Sequence, residues 1–468
     1  MKGPWILLLC VTAAPALAQV TAPRELSRVQ ERTSSNQPNM SYLDDGVVRV
    51  GVDLNMGGVI TYLSRSSDTY NVIWEPSPGG EISQSYYGGP MPYGHANPAW
   101  SGWPWNPVGA GDSYGNRSQV VANSNDGKTI YVRTVPLQWA LNNVACECFV
   151  ESWIALDGSA VNLKYRITNH RADLTQYASF GQELPAVYTI GKLYKLYTYD
   201  GTAPFTGAPT RRITSPLPPP WGLYEPSENW MAFVDDSGFG LGVVNTSVLH
   251  FLAGFSGTLN TGGPLDNSTG YIAPVQDEIL DHNIAYTYDA TVILGTVDDI
   301  RAYAVAHRRA EARPDYHFAL DQFQEDRQHV TYANAADSGL PLKGGLRVDL
   351  GQNDPQILFA EGRWDAASLP TLYLTAAFHT HETTAEVFWA IPGQGFDPSR
   401  RLDFPVIPDG QMRTYAIPLS SSPTYTGPIT RLRLDPSDGG IAGDFIQILS
   451  LSFQPEPTDR LPRVVVRP

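Results

Sequence analysis

The run Ala145-Cys146-Glu147-Cys148-Phe149-Val150-Glu151-Ser152-Trp153-Ile154-Ala155-Leu156, then Asp157-Gly158, then Ala160-Val161-Asn162-Leu163-Lys164-Tyr165-Arg166-Ile167-Thr168-Asn169, reads as two strands joined by a tight turn. Side chains alternate between the faces of a strand, so Cys146, Cys148, Val150, Ile154 and Leu156 share one face, suited to a core. Glu147, Phe149, Glu151 and Trp153 share the other. Acids and rings in alternation suit the floor of a cleft, or equally a face paired with Lys164 and Arg166 of the neighbouring strand. The Asp-Gly pair supplies the backbone freedom that a short hairpin turn requires.

Outward from this hairpin the same pattern recurs. Val47 to Leu54 and Thr129 to Leu137 alternate, and further strands are expected at Trp230 to Val234, Gly240 to Asn245 and Ile284 to Leu294. With 42 Gly, 38 Pro and 11% aromatic residues, the composition favours strands and turns over helices. One helix is expected at Val297 to Ala312, where Ile300, Tyr303, Ala304 and His307 recur at helical spacing. Acids open it, arginines close it, and Pro314 follows as a stop. From about His317 new strand patterns begin, at Gly345 to Leu350, Thr371 to Phe378, Thr384 to Ile391, Met412 to Leu419, Ile429 to Leu434 and Asp444 to Phe453. The chain therefore reads as all-β: a first unit over 19–312, one short linking helix at its end, and a jelly-roll sandwich over 313–468.

Residues 1–18 have the form of an export signal. Met1-Lys2 is positive, Trp5 to Ala13 is a short apolar run, and Ala16-Leu17-Ala18 is a small-residue cleavage pattern. The run is shorter than the roughly 20 residues needed to span a bilayer. A secreted or periplasmic protein is expected, without a membrane partner. Cys10 would leave with the signal. Cys146 and Cys148 are expected as two buried free thiols, because positions i and i+2 of a strand are poorly placed for a bridge. A lone Cys-x-Cys is no metal site, and no cofactor is expected. The net charge of −15 disfavours nucleic acid as a partner.

The second unit resembles the carbohydrate-binding jelly rolls appended to secreted bacterial glycan enzymes. Ala385-Glu386-Val387-Phe388-Trp389, Pro408-Asp409-Gly410-Gln411-Met412-Arg413-Thr414-Tyr415, Ile429-Thr430-Arg431-Leu432-Arg433-Leu434-Asp435-Pro436 and Gly443 to Ile448 carry that likeness. The first unit resembles the galactose-mutarotase-like β-supersandwich. Asp45 to Val52 with Gly57-Gly58-Val59-Ile60, Asn71 to Trp74, Gly79-Gly80-Glu81-Ile82 and the closing Tyr286 to Leu294 carry this one. It is also similar to a group of secreted bacterial proteins that share the Gly111-Asp112-Ser113-Tyr114-Gly115-Asn116-Arg117-Ser118 and Gly181-Gln182-Glu183-Leu184-Pro185-Ala186-Val187-Tyr188-Thr189 runs. The mutarotase resemblance implies a His and a Glu around a sugar ring. His95, His170 and His282 match by type alone, so an epimerase is not the first expectation.

The stretch from Trp100 to Tyr188 interleaves rings with carboxylates, amides and guanidinium groups. A pyranose offers apolar faces for stacking and a rim of hydroxyls for hydrogen bonds, so a poly- or oligosaccharide partner is expected. Hydrolysis of a glycosidic bond needs two carboxyl groups. Glu183 is the first choice, with Asp112 or Glu151 as its companion and Glu147 on the same strand face as Glu151. Trp103, Trp105, Trp153, Tyr86, Asn116, Arg117 and Glu147 are candidate substrate contacts. Asp112 could instead cap an Asx turn. Asp277-Glu278-Ile279-Leu280-Asp281-His282 could supply an acid–base pair, a cation site or a solvated turn, and Glu228-Asn229-Trp230 and His379-Thr380-His381 are lesser candidates. A glycoside hydrolase is the leading expectation. A polysaccharide lyase using Tyr86, Tyr188, His95 or Arg117, and a non-catalytic glycan binder, are the alternatives.

Overall fold

The computed structural model describes residues 38–455 other than 77, 310–312 and 319–326, with the backbone of the strand Arg463–Val465. The expected export signal, Cys10 and the last residues of the expected helix lie outside the described residues.

Two large antiparallel sheets make the first unit. One runs in the order Met40–Asp44, Val48–Asp53, Val59–Arg65, Ile82–Ser85, Phe180–Ile190, Thr269–Glu278, His250–Ser256 and Gly222–Tyr224. Pro107–Val108 pairs with Ile82–Ser85, and Leu137–Gln138 with Pro107–Val108, which makes ten strands. The other sheet has nine: Arg211–Ile213, Lys195–Thr198, Trp230–Val234, Phe239–Val244, Ala285–Thr296, Ala160–Asn169, Cys148–Asp157, Thr129–Val135 and Gln119–Asn125. They pack face to face. Val50, Ile82, Leu184, Val187, Phe251 and Ile272 from the first meet Val132, Val150, Ile154, Leu163, Leu241 and Val292 from the second in one core. Each such side chain, fully buried, contributes about 1.5–3 kcal/mol of hydrophobic free energy. This is the all-β supersandwich that the sequence leads one to expect.

The hairpin forms as read, with Asp157 opposite Ala160 and Gly158 in the left-handed region at φ 58°. Its first strand begins only at Cys148, not at Ala145. That late start corrects the reading of the cysteines. Cys146 lies outside the strand, where the chain turns after Asn143 (φ 57°), and it forms a disulfide with Cys148. The extended i, i+2 geometry that argued for free thiols does not hold there. The helix spans Val297–Ala306, shorter than expected, with a capping box between Thr296 and Asp299. Its buried face, Ile300 and Ala304, packs on the nine-stranded sheet, where Gly242 leaves room for Ile300. Arg301 fixes it further by gripping buried Glu228, the acid of the Glu228-Asn229-Trp230 run, at 2.8 Å through both Nε and Nη2. At its C-terminus His307 turns back onto the carbonyl of Tyr303.

The second unit pairs a seven-stranded sheet with a five-stranded one around a separate core that includes Trp364, Trp389, Phe378 and Leu434. His381 of the His379-Thr380-His381 run bonds Asp444 at 2.7 Å, and His379 stacks on Phe445. Among the described residues no cluster of three His, Cys, Asp or Glu side chains could hold a metal ion.

The two units meet through both apolar and ionic contacts. Leu340 inserts into the core of the first unit. Arg327, fully buried, donates to Asp337 at 2.6 Å and to Asp281 of the first unit at 2.9 Å. Burial raises the Asp281 carboxyl, whereas at Asp337 burial is outweighed by the Arg327 guanidinium together with bonds from Gln176 and the Gly339 N–H, which hold the group down. Breaking such a buried ionic group strands a charge, at a cost of about 3–5 kcal/mol. Urea unfolding of Asp337→Ala is expected to show a loss of that size, while Arg347→Ala, in an exposed pair with Asp349, leaves the midpoint in place. Peptide mapping without reduction is expected to find no alkylated Cys146 or Cys148, and both alkylated after reduction.

Candidate functional site: an outward carboxyl between two groups of rings

A strand in a two-sheet sandwich sends alternate side chains into the core and away from it. Along Phe180–Ile190, Leu184 and Val187 point inward, and Glu183, Ala186 and Tyr188 point outward. The alternation breaks step because the strand bulges: its register against Thr269–Glu278 shifts between Glu183 and Val187. Bulges of this kind re-aim side chains and are enriched beside active sites.

The Glu183 carboxylate is half-buried on this outer face. It accepts hydrogen bonds from the Tyr271 hydroxyl and from the Tyr87 hydroxyl, the latter at 3.2 Å. Burial pushes its pKa up, and the bonds from Tyr271, Tyr87 and its cross-strand partner Ser85 pull against that shift without cancelling it. The two phenols are driven well above their ordinary value, first by burial and next by the neighbouring carboxylate, so they remain protonated donors.

Rings flank the carboxylate on both sides. On one, Trp221 stacks on Tyr271 with centroids 4.8 Å apart, and Tyr188 lies 4.7 Å from Tyr271 and 5.7 Å from Trp74. On the other, Tyr87 meets Trp103 edge-on at 6.1 Å, Trp103 meets Trp100 at 4.7 Å, and Trp100 meets Trp139 at 5.4 Å. Tyr271, Trp74 and Trp103 are buried beneath, while Tyr87, Tyr188, Trp100, Trp139 and Trp221 keep partly open faces.

The other expected residues lie elsewhere. Glu151 sits on the outer face of the opposite sheet, so the whole core separates it from Glu183. It accepts from Arg166 at 2.6 and 2.8 Å and from Tyr131 at 2.7 Å. Trp153 packs beside that ion pair, tilted against Tyr131. Glu147 is exposed and accepts the Ala172 N–H at 3.3 Å. Asp112 is buried and takes four donors: the N–H groups of Tyr114, Asn116 and Asn143, and Asn116 Nδ2. Asp112 and Asn116 thus cap a loop that braces Trp139, whose carbonyl receives the Ser113 N–H. In the same loop Arg117 is half-buried, with Nη1 unpaired among the described residues. Tyr86 points into the core and donates to Gln84 at 2.6 Å, and Trp105 is core as well. Of the expected catalytic carboxyls only Glu183 stands on the ring-lined face, with Trp103 beneath it. Tyr271 and Trp221 carry no mark in the sequence. Around Tyr271 the strand Thr269–Glu278 is apolar on both faces, through Ile272, Ala273, Pro274 and Val275, and Trp221 follows three prolines, so periodicity distinguishes neither.

No protein-family model and no curated protein matches this chain. Solved structures similar in fold include the Slr1438 protein from Synechocystis sp. PCC 6803, at 13% identity and a TM-score of 0.36, covering 57% of this chain and 100% of that one. A galactose mutarotase-like protein from Lactobacillus casei ATCC 334 matches at 11% identity and a TM-score of 0.32, covering 55% and 100%. Another from Clostridium acetobutylicum matches at 9% identity and a TM-score of 0.34, covering 57% and 98%. These are neighbours of the fold resembled in sequence. At such scores they carry no argument about chemistry.

Removing one hydroxyl tests the electrostatics of the site. Tyr271 donates to the charged form of Glu183, so Tyr271→Phe is expected to raise the Glu183 pKa further. Carboxyl carbon-13 titration, with Glu183→Gln assigning the resonance, reads the shift. An unchanged midpoint would remove Tyr271 from the site.

Proposed function

We propose that this chain acts on a poly- or oligosaccharide outside the cytoplasm, as a glycoside hydrolase in which Glu183 donates the proton to the leaving oxygen. One observation carries the reading: a half-buried carboxyl with raised pKa sits between two groups of partly open rings on the outward face of the ten-stranded sheet. A raised pKa keeps a carboxyl protonated towards neutral pH, which is what a general acid requires. The rings on either side supply apolar platforms along which a chain of sugars stacks. The export signal expected over residues 1–18 supports the location.

Elimination by a lyase is less well supported. It needs a base, and the phenols nearest Glu183 are shifted away from ionisation. A non-catalytic binder would use the same rings and leave Glu183 as a hydrogen-bond acceptor only.

A polysaccharide panel, read for reducing ends and for unsaturated uronate side by side, separates the three. We expect new reducing ends without uronate absorbance. Glu183→Gln keeps the shape but removes the proton, and a fall of roughly 100- to 10,000-fold is expected from loss of general-acid catalysis. Uronate absorbance would move the case to a lyase. Retention on immobilised glycan without turnover would make the protein a binder.

A further inference from the structure

The acids of the Asp277–Asp281 run have separate fates. Glu278 points into the interior and accepts from the backbone and ring of His329. Asp281 is held by Arg327. Asp277 is half-buried, and among the described residues its carboxylate has no hydrogen bond or ion pair. It lies directly opposite Gly181, two residues before Glu183, so Asp277 and Glu183 occupy diagonal positions on neighbouring antiparallel strands. Asp277 is in step with Tyr271, Ala273 and Val275, the outward residues of its strand, and therefore shares the face of Glu183. Diagonal positions lie about 7–8 Å apart at the backbone. Gly181 carries no side chain to fill the space beside them.

The second unit closes this end of the face. Glu361 Oε2 lies 2.8 Å from Nδ1 of His250, which stands opposite Val275 on the next strand. Arg431 is fixed by bonds from Nε to the Phe359 carbonyl at 2.8 Å and from Nη2 to Thr331 at 3.2 Å. Its Nη1 lies 3.9 Å from Glu361. The charged groups around Asp277 are thus Arg431 and Glu361 from the second unit, with His250 and Glu278 from the first. Burial raises the Asp277 pKa foremost, Glu361 and Glu278 add to it, and Arg431 and His250 oppose it.

We propose that Asp277 is the second carboxyl of the site, and that Arg431 and Glu361 of the second unit form the wall that tunes it. This rests on the hydrolase reading above. In the step, Asp277 takes a proton from water as the water oxygen bonds to the anomeric carbon. The glycosidic C–O bond breaks with its electron pair leaving on oxygen, and that oxygen takes the proton of Glu183. Paired carboxyls that activate a water in this way stand about 6.5–9.5 Å apart, which leaves room for it.

The test uses the full chain and a glycan that it cleaves. Asp277→Ala is expected to lose at least about 100-fold in hydrolysis. Sodium azide is expected to restore at least about tenfold of that, with a glycosyl azide as product, because the small anion replaces the activated water. Arg431→Met removes a cation that favours the ionised form, so the acid limb of kcat/KM is expected to move to higher pH. Asp277→Ala within about threefold of the unsubstituted protein, with Glu183→Gln inactive, would overturn the role of Asp277 and leave Glu183 standing. A loss that azide does not restore, with a lowered unfolding midpoint, would make Asp277 structural and equally overturn it. Failure to cleave any glycan would sink the hydrolase reading and this inference together.

Discussion

A sheet in a sandwich turns only one of its faces to the shared core, and the strand Phe180–Ile190 is built on that constraint. Leu184 and Val187 anchor it in the core against residues of the opposite sheet. Whatever alternates with them must face outward. The strand lies between Ile82–Ser85 and Thr269–Glu278, and against both neighbours its register shifts just after Glu183. The shift lets the carboxylate meet two tyrosine hydroxyls that come from different parts of the chain. Glu183 itself stays in register opposite Ser85 and Val275, and the residues that follow it are displaced by the bulge.

Two glutamates on outward faces illustrate how partner chemistry sets a carboxylate's surroundings. Glu151 is met by a guanidinium through both Nε and Nη2, which occupies one of its oxygens and leaves little capacity for a ligand. Glu183 is met by neutral phenols. Their bonds stabilise the charge less than burial destabilises it, so the group sits above the ordinary carboxylate range. From the chain alone the two positions look alike, each an acid near a ring on an alternating strand. What separates them is the residue across the strand: Arg166 for one, Ser85 and Val275 for the other.

The architecture was largely legible because alternation is a local property. The hairpin around Asp157-Gly158, the closing strand before the helix and the helix start at Val297 all depend on residues close in sequence. The irregular strand around Glu183 was legible too, since Gly181 and Pro185 flank it. The companions of Glu183 were not. Tyr271 is 88 residues from the carboxylate it touches, in a stretch of strand that is buried on both faces. The Trp100–Trp105 loop suggests three free platforms by its sequence. It divides instead, with Trp105 entering the core and Trp103 bonding Asn106 at 2.9 Å as a floor beneath Trp100. Asp112 shows the converse, where the local reading as an Asx cap sufficed and proximity to rings in sequence was a false lead. The cysteines mislead because the strand begins later than its pattern suggests.

The second unit is bound to the same face. Its strand pattern invites a reading as an appended module with a binding face of its own, yet it reaches the first unit where the ring-lined face ends. Glu361 reaches His250, Arg363 reaches Glu225 at 3.2 Å, and the Gly393 N–H donates to Glu225 at 2.7 Å. His250 is raised above its ordinary pKa although burial, the largest influence, would lower it, because Glu361 and Glu225 together more than compensate. The attraction therefore holds while His250 is protonated, fully so below the ordinary histidine pKa, and is lost as pH rises through the raised value. A module joined only by a linker would need none of this. Charges withdrawn from water and paired across the boundary, beside a carboxyl with no bonded partner among the described residues, tie the position of the second unit to the electrostatics of the outward face of the first.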